Sequence, residues 1–359
     1  MRTRAVLASL ILAVTAVAAG TMAADAAPRQ RSTTWSTAAV PPATITTTPG
    51  FPVGSIVSTD PALGVSAGVV QTGSTPPGQV YGTSSGSVPL ALHSGAGSTS
   101  TTVTFASPTP GARWSFVLSD VDAETLVLSA TGPGGPVDLG SLGYQGSYNS
   151  APGGGDQPVW NPATGELRGN VADTAGASAW FSPTAPISTL TLTSTRISAT
   201  GSPVAYLWIA AQTASLAGSV LDPAGTPVPG ATVTVSAAAG GALPGGPLTA
   251  TTDAAGGFDI PAVFPAPVQV AAAAPGRGIG PALAVAPIPD PADPAQLVFD
   301  AVVVPAAAAP VAPAAPDPAA QLAPTGADVL SGLGPAAAAI AGGLLLLGCA
   351  AAVRRRLFR

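Results

Sequence analysis

Arg113-Trp114-Ser115-Phe116-Val117-Leu118-Ser119-Asp120-Val121-Asp122-Ala123-Glu124-Thr125-Leu126-Val127-Leu128-Ser129-Ala130 is the stretch that decides the fold class. Successive side chains of an extended chain point to opposite faces. Trp114, Phe116 and Leu118 therefore share one face, and Arg113, Ser115 and Val117 the other. The same period recurs at 189–194, where Leu190 and Leu192 face one way and the threonines the other. Both segments read as half-buried strands of an antiparallel sheet, with one face on a core and one in water.

Outward from this stretch the pattern repeats. Short apolar-alternating runs are expected as strands at 55–58, 65–71, 88–93, 100–105, 113–118, 126–130, 167–171, 177–181, 188–194 and 205–211. Gly, Pro and Ser separate them, which is the spacing of a sandwich or jelly roll. Composition agrees. Gly (43) and Pro (40) together exceed a fifth of the 359 residues, and only 8% are charged. Gly and Pro disfavour helix interiors, while Thr and Val favour strands. The expectation is an all-β chain with a jelly-roll-like sandwich over 45–212 and a loosely ordered segment over 27–44.

All 12 basic residues are arginine, and the one cysteine, Cys349, lies in a C-terminal apolar run. Neither a disulfide nor a lysine isopeptide bond can staple the sandwiches, so sheet packing must hold them. From 27 to 325 the chain carries 15 acids and 6 arginines, a balance of −9. No basic patch meets phosphates, which argues against nucleic acid as a partner.

Both ends read as targeting signals. Arg2 and Arg4 precede an apolar run over 5–20 and the small residues Ala24-Asp25-Ala26, the pattern of a cleaved signal peptide over 1–26. Leu322-Ala323-Pro324-Thr325-Gly326 precedes an uncharged run over 329–353, long enough for a transmembrane helix, and then Arg354, Arg355, Arg356 and Arg359. This order resembles the sorting signal of Gram-positive wall-anchored proteins, in the LAxTG variant read by class E sortases of actinobacteria. The resemblance implies cleavage between Thr325 and Gly326, transfer of Thr325 to peptidoglycan, and only a transient membrane intermediate. The Ala/Pro-rich tract at 305–321 reads as an extended stalk of roughly 60 Å at most.

Between the first sandwich and the stalk, the chain reads Leu216-Ala-Gly218-Ser-Val220-Leu-Asp222-Pro-Ala-Gly225, then Pro229-Gly230-Ala-Thr-Val-Thr-Val235, then Asp253-Ala-Ala-Gly256-Gly-Phe258-Asp-Ile260. These turns and β-branched runs resemble the carboxypeptidase regulatory-like domain, a small transthyretin-like β-sandwich, here assigned to 213–304. The tract at 276–294 is longer and richer in proline than that pattern.

Few residues could carry chemistry. His93 is the sole histidine, and beside Ser94 it has no nucleophile elbow around it. Asp156 and Glu166 are the nearest approach to a glycosidase carboxylate pair, and nothing in the sequence places them across a cleft. The chain is therefore read as a non-enzyme, and an extracellular polymer hydrolase as a remote alternative. Asp120, Asp122 and Glu124 would lie on one face if their strand continued, within reach of a calcium ion; the competing reading is a solvated turn. Tyr144, Tyr148 and Trp160 fall in a Gly/Pro/Asn-rich tract expected as loop, where exposed rings could stack on sugars. The functional expectation is a surface adhesin or display protein that binds a glycan or an extracellular protein; the alternative is a purely structural wall protein.

Overall fold

The computed structural model describes residues 32–303 except 42, 67–69, 96, 200, 202, 240, 241 and 290–296. The segments expected as signal peptide, stalk, sorting signal and C-terminal helix lie outside these residues. Among the described residues, no helix is long and apolar enough to cross a membrane.

The chain is almost entirely β and forms two sandwiches in tandem. In the first, one sheet runs Tyr144–Asn149, Ala177–Phe181, Trp114–Ser119 and Val204–Val220. Leu90–His93 and Ser32–Trp35 pair with the far side of Val204–Val220. The facing sheet runs Val159–Asn161, Glu166–Arg168, Glu124–Gly132, Thr189–Arg196, Thr99–Phe105, Gly54–Ser58, Thr44–Thr46 and Thr37–Ala39. Between the sheets lie Trp114, Phe116, Leu118, Phe181, Leu190, Leu192 and Leu207, all buried.

Thr189–Arg196 is half-buried, with Leu190 and Leu192 inward, as its alternation requires. Trp114–Ser119 is not: every residue in it is buried. A second layer accounts for this. The helix Pro76–Tyr81, capped by the Thr75 hydroxyl on Gly78 N, lies over the outer face of that sheet. Tyr81, Trp35, Val117, Tyr148 and Trp208 form a separate apolar cluster there. Ser115 is accommodated by hydrogen bonds to Tyr81 Oη (2.9 Å) and Ser182 Oγ (2.7 Å).

The loosely ordered segment expected over 27–44 is corrected where it is described. Ser32–Trp35, Thr37–Ala39 and Thr44–Thr46 are strands that pair with both sheets. Trp35 anchors them. Its indole is buried, donates to Tyr81 O (3.1 Å), and stands edge-on to Trp208 at 5.8 Å. Of the run expected at 65–71, among the described residues the strand is Gly64–Val65, and the Gln71 side-chain amide donates to Ser119 Oγ (2.9 Å).

The second sandwich packs Leu248–Thr251, Thr232–Ala237, Val268–Ala273 and Leu283–Val285 against a sheet of Gly257–Val263, Leu297–Val303 and the second half of Val204–Val220. The pairing of Leu297–Val303 with Val204–Val220 is parallel. Leu216, Val220, Val233, Val235, Phe258, Val263 and Val270 fill its core. Its turns are those the sequence calls for. Asp222 Oδ1 accepts from Ala224 N and Thr226 N, Asp253 Oδ1 from Ala255 N and Gly257 N, and Gly225 takes φ +82°.

One strand, Val204–Val220, thus serves both sandwiches, so no linker falls at the boundary placed between 212 and 213. Val263 points into the second core, and its neighbour Phe264 into the first, against Phe51 at 5.5 Å. Phe264 N donates to Pro49 O (2.9 Å) and Gly50 N to Pro244 O (2.9 Å), which closes the junction.

Candidate functional site

The strand that carries Trp114 ends at Ser119. Asp120 takes a left-handed conformation (φ +62°), and the chain crosses as an arch to the facing sheet, where Glu124 begins the next strand. Val121 and Ala123 plug the arch into the core. The three acids are therefore presented by an arch and not by a continued strand. Asp120 Oδ1 accepts from Gly176 N (2.7 Å). Asp122 Oδ2 accepts from Thr174 N (2.8 Å) and Thr174 Oγ1 (3.1 Å). The same Thr174 hydroxyl lies in close contact with Asp156 Oδ2.

Glu124 differs from its neighbours. Its side chain is fully buried, and neither carboxylate oxygen has a partner at hydrogen-bond geometry; the Ala123 N–H comes near enough to favour the charged form slightly but does not meet that geometry. Burial, with repulsion from Asp122 and Asp120 added, pushes its pKa up to about 9. Burial also raises Asp120 and Asp122, against the bonds that Gly176 and Thr174 donate to them. Arg196 stands opposite Glu124 in the ladder, yet its guanidinium donates to Gly201 O (2.6 Å). The loop over 169–176 covers the arch: Gly169 N donates to Glu124 O (3.0 Å) and Val171 N to Asp122 O (2.9 Å). As the side chains stand, no group of three or more His, Cys, Asp or Glu among the described residues is arranged to hold a metal ion. Asp156, which the sequence offers only as a partner of Glu166, and Asp173 and Thr174, which it does not single out, lie far along the chain with no motif to join them to the arch.

The aromatic trio divides. Tyr144 and Tyr148 lie in the strand Tyr144–Asn149 and Trp160 in Val159–Asn161, so the tract is not the loop expected of it. Tyr148 is a core residue, corrected from a ligand-stacking role: it is 6% exposed, and its hydroxyl donates to Gln71 Oε1 (2.7 Å). A register shift between Tyr144 and Gly146 interrupts the alternation, so Tyr148 packs in the helix-covered cluster while Tyr144 meets Phe181. Tyr144 and Trp160 stack at 5.9 Å with 25° between their planes, and both lean on Phe181, at 5.5 and 5.1 Å. Their strands are the edges of the two sheets of the first sandwich, and Ser147 Oγ donates across to Pro158 O (2.6 Å). The pair therefore closes the open side of the sandwich, with Tyr144 36% exposed.

The remaining candidates are tied into the framework. His93 Nδ1 lies 3.3 Å from Asp60 Oδ2, which also accepts from His93 N (2.8 Å). Ser94 is buried with its hydroxyl against Ser194. Glu166 pairs with Arg168 at 3.5 Å, and Asp156 Oδ1 accepts from Asn149 Nδ2 (2.6 Å). Leu322, Ala323, Pro324, Thr325 and Gly326 lie outside the described residues.

Residues 215–284 match the carboxypeptidase regulatory-like domain. A domain of this family is therefore present in the chain, and its matched span begins within the shared strand. No curated protein matches the chain. Among solved structures, the major pilin subunit of Bacillus cereus, BcpA, aligns at 8% identity and a TM-score of 0.21, over 59% of this chain and 65% of that one. The chain thus spans under two thirds of that subunit's length. The group B streptococcus pilus 2b backbone protein aligns at 11% identity and a TM-score of 0.23, over 60% of this chain and 98% of that one. The T6 backbone pilin of Streptococcus pyogenes aligns at 11% and 0.19, over 67% and 53%. TM-scores this low fall short of a shared overall fold.

Proposed function

We propose that the chain is an exported, non-catalytic surface protein, anchored to peptidoglycan by a sortase, whose two fused sandwiches act as one rigid display unit. The observation that carries this reading is the junction: a single 17-residue strand runs through both sandwiches, and Phe264 of the second completes the core of the first. A linker-joined pair would flex; a shared strand with interlocked cores transmits force and holds one orientation. The Leu322-Ala323-Pro324-Thr325-Gly326 pentapeptide, the apolar run and the arginine tail supply the anchor in this reading, and residues 1–26 the export signal.

The half-exposed Tyr144–Trp160 pair favours a second reading, in which the free edge of the first sandwich holds a glycan or an extracellular protein. An aromatic face with one wet edge suits sugar stacking. Wall fractionation tests the anchor. Thr325→Ala should move the protein from the wall to the membrane or medium, and an unchanged wall fraction would overturn the sortase reading. A glycan array probed with the wild type and with Tyr144→Ala tests the second reading; equal signals from both would remove it.

A further inference from the structure

The arch and the loop that covers it gather more carboxylates than the fold supplies partners for. Asp120, Asp122 and Glu124 come from the arch, Asp173 from the covering loop, and Asp156 from the adjoining turn; each of the first three feels the repulsion of Asp173. Among the described residues, none of the five is in a salt bridge with an arginine. The Thr174 hydroxyl contacts both Asp122 Oδ2 and Asp156 Oδ2 but has one proton to donate, so one of those oxygen pairs faces acceptor to acceptor. Glu124 is the deciding observation. It is fully buried, both of its oxygens lack a partner, and Asp122, Asp120 and Asp173 repel its charged form. A buried carboxylate without partners is strongly disfavoured unless it is neutral or bound to a cation.

We propose that Asp120, Asp122, Glu124 and Asp173 form a calcium site that ties the arch between the two sheets to the loop over 169–176. Calcium takes six to eight oxygen ligands in flexible geometry, from carboxylates, backbone carbonyls and water. The arch supplies two buried carboxylates, Asp122 and Glu124, and a half-buried one, Asp120. Asp173 is exposed on the covering loop, and its Oδ2 would lie 3.2 Å from a Cβ added at Gly201, a close approach that glycine permits. The carboxylates do not converge as they stand. Bringing Asp173 inward over Glu124 is the movement that the ion would drive. Val171, a β-branched residue at φ +78°, lies in the same loop.

The test uses the full chain in mild detergent. All five tryptophans (Trp35, Trp114, Trp160, Trp180 and Trp208) belong to the first sandwich, so their fluorescence follows the unfolding of the part that holds the site. Saturating calcium should raise the melting temperature over the EDTA-treated protein by roughly 5–10 °C, and isothermal titration should show one bound calcium. Glu124→Gln keeps the shape and removes the carboxylate that would ionise to hold calcium. It should fold, melt in EDTA no lower than the wild type, and lose the calcium response. Asp173→Asn, on the exposed loop, should weaken calcium binding about tenfold without changing the melting temperature in EDTA. The proposal is overturned if the wild type binds no calcium by titration, if magnesium produces the same shift at the same concentration, or if Glu124→Gln retains the full calcium response.

Discussion

Phe264→Ala should unfold a domain to which residue 264 does not belong by sequence. Phe264 is 2% exposed, and its ring contacts Phe51, which in turn meets Phe105 at 6.2 Å and Trp114 at 5.4 Å. Removing the ring leaves a cavity at the base of the first core, where the surrounding rings can collapse only partly. Truncation of a buried phenylalanine costs about 3–5 kcal/mol. At about 2–4 °C per kcal/mol for a unit of this size, the melting temperature should fall by roughly 6–20 °C. Tryptophan fluorescence is the appropriate assay, because no tryptophan lies between 213 and 304. A single transition in the wild type, shifted by Phe264→Ala, shows that the sandwiches are energetically joined. Phe258→Ala, confined to the second core, should move the same transition. If tryptophan unfolding is unmoved by Phe264→Ala, or if the second sandwich melts separately with the first unaffected, the interlocked junction is refuted.

Two further outcomes follow from particular contacts. Tyr148→Phe leaves Gln71 Oε1 without its buried donor and should cost about 1–3 kcal/mol. It also bears on alkaline stability. Burial raises the Tyr148 pKa, so the neutral phenol's contribution is fully present below the ordinary tyrosine value of about 10 and is lost as the pH rises from there towards the raised value. The wild type should lose stability in denaturant titrations above about pH 10, and Tyr148→Phe should flatten that loss; parallel curves would show that Tyr148 is not responsible. Gly143→Ala places a Cβ 1.9 Å from Ser182 O at φ +69°, whereas Gly225→Ala meets open space at φ +82°. The first should destabilise by several kcal/mol and the second by about 1 kcal/mol; equal chemical-denaturation midpoints for the two variants would contradict the close approach at Gly143.

Local alternation determined much of the fold in advance. Trp114, Phe116 and Leu118 on one face, Leu190 and Leu192 on another, and the Asp-Gly turns at 222–225 and 253–256 are readable because a strand has period two and a tight turn needs a short polar side chain beside a residue tolerant of positive φ. The same logic failed where a partner layer lay elsewhere in the chain. Ser115 and Tyr148 look solvent-facing until the helix Pro76–Tyr81 covers them, and Ser32–Trp35 looks unstructured until Trp208 gives Trp35 a surface to pack on. Sequence alone set out three acids at spacing two on the arch. Only the tertiary structure buried Glu124 without a partner and brought Asp156 and Asp173 to the same end of the sandwich, because proximity between a crossing arch and a loop about fifty residues later is fixed by sheet pairing and leaves no periodic trace in the chain.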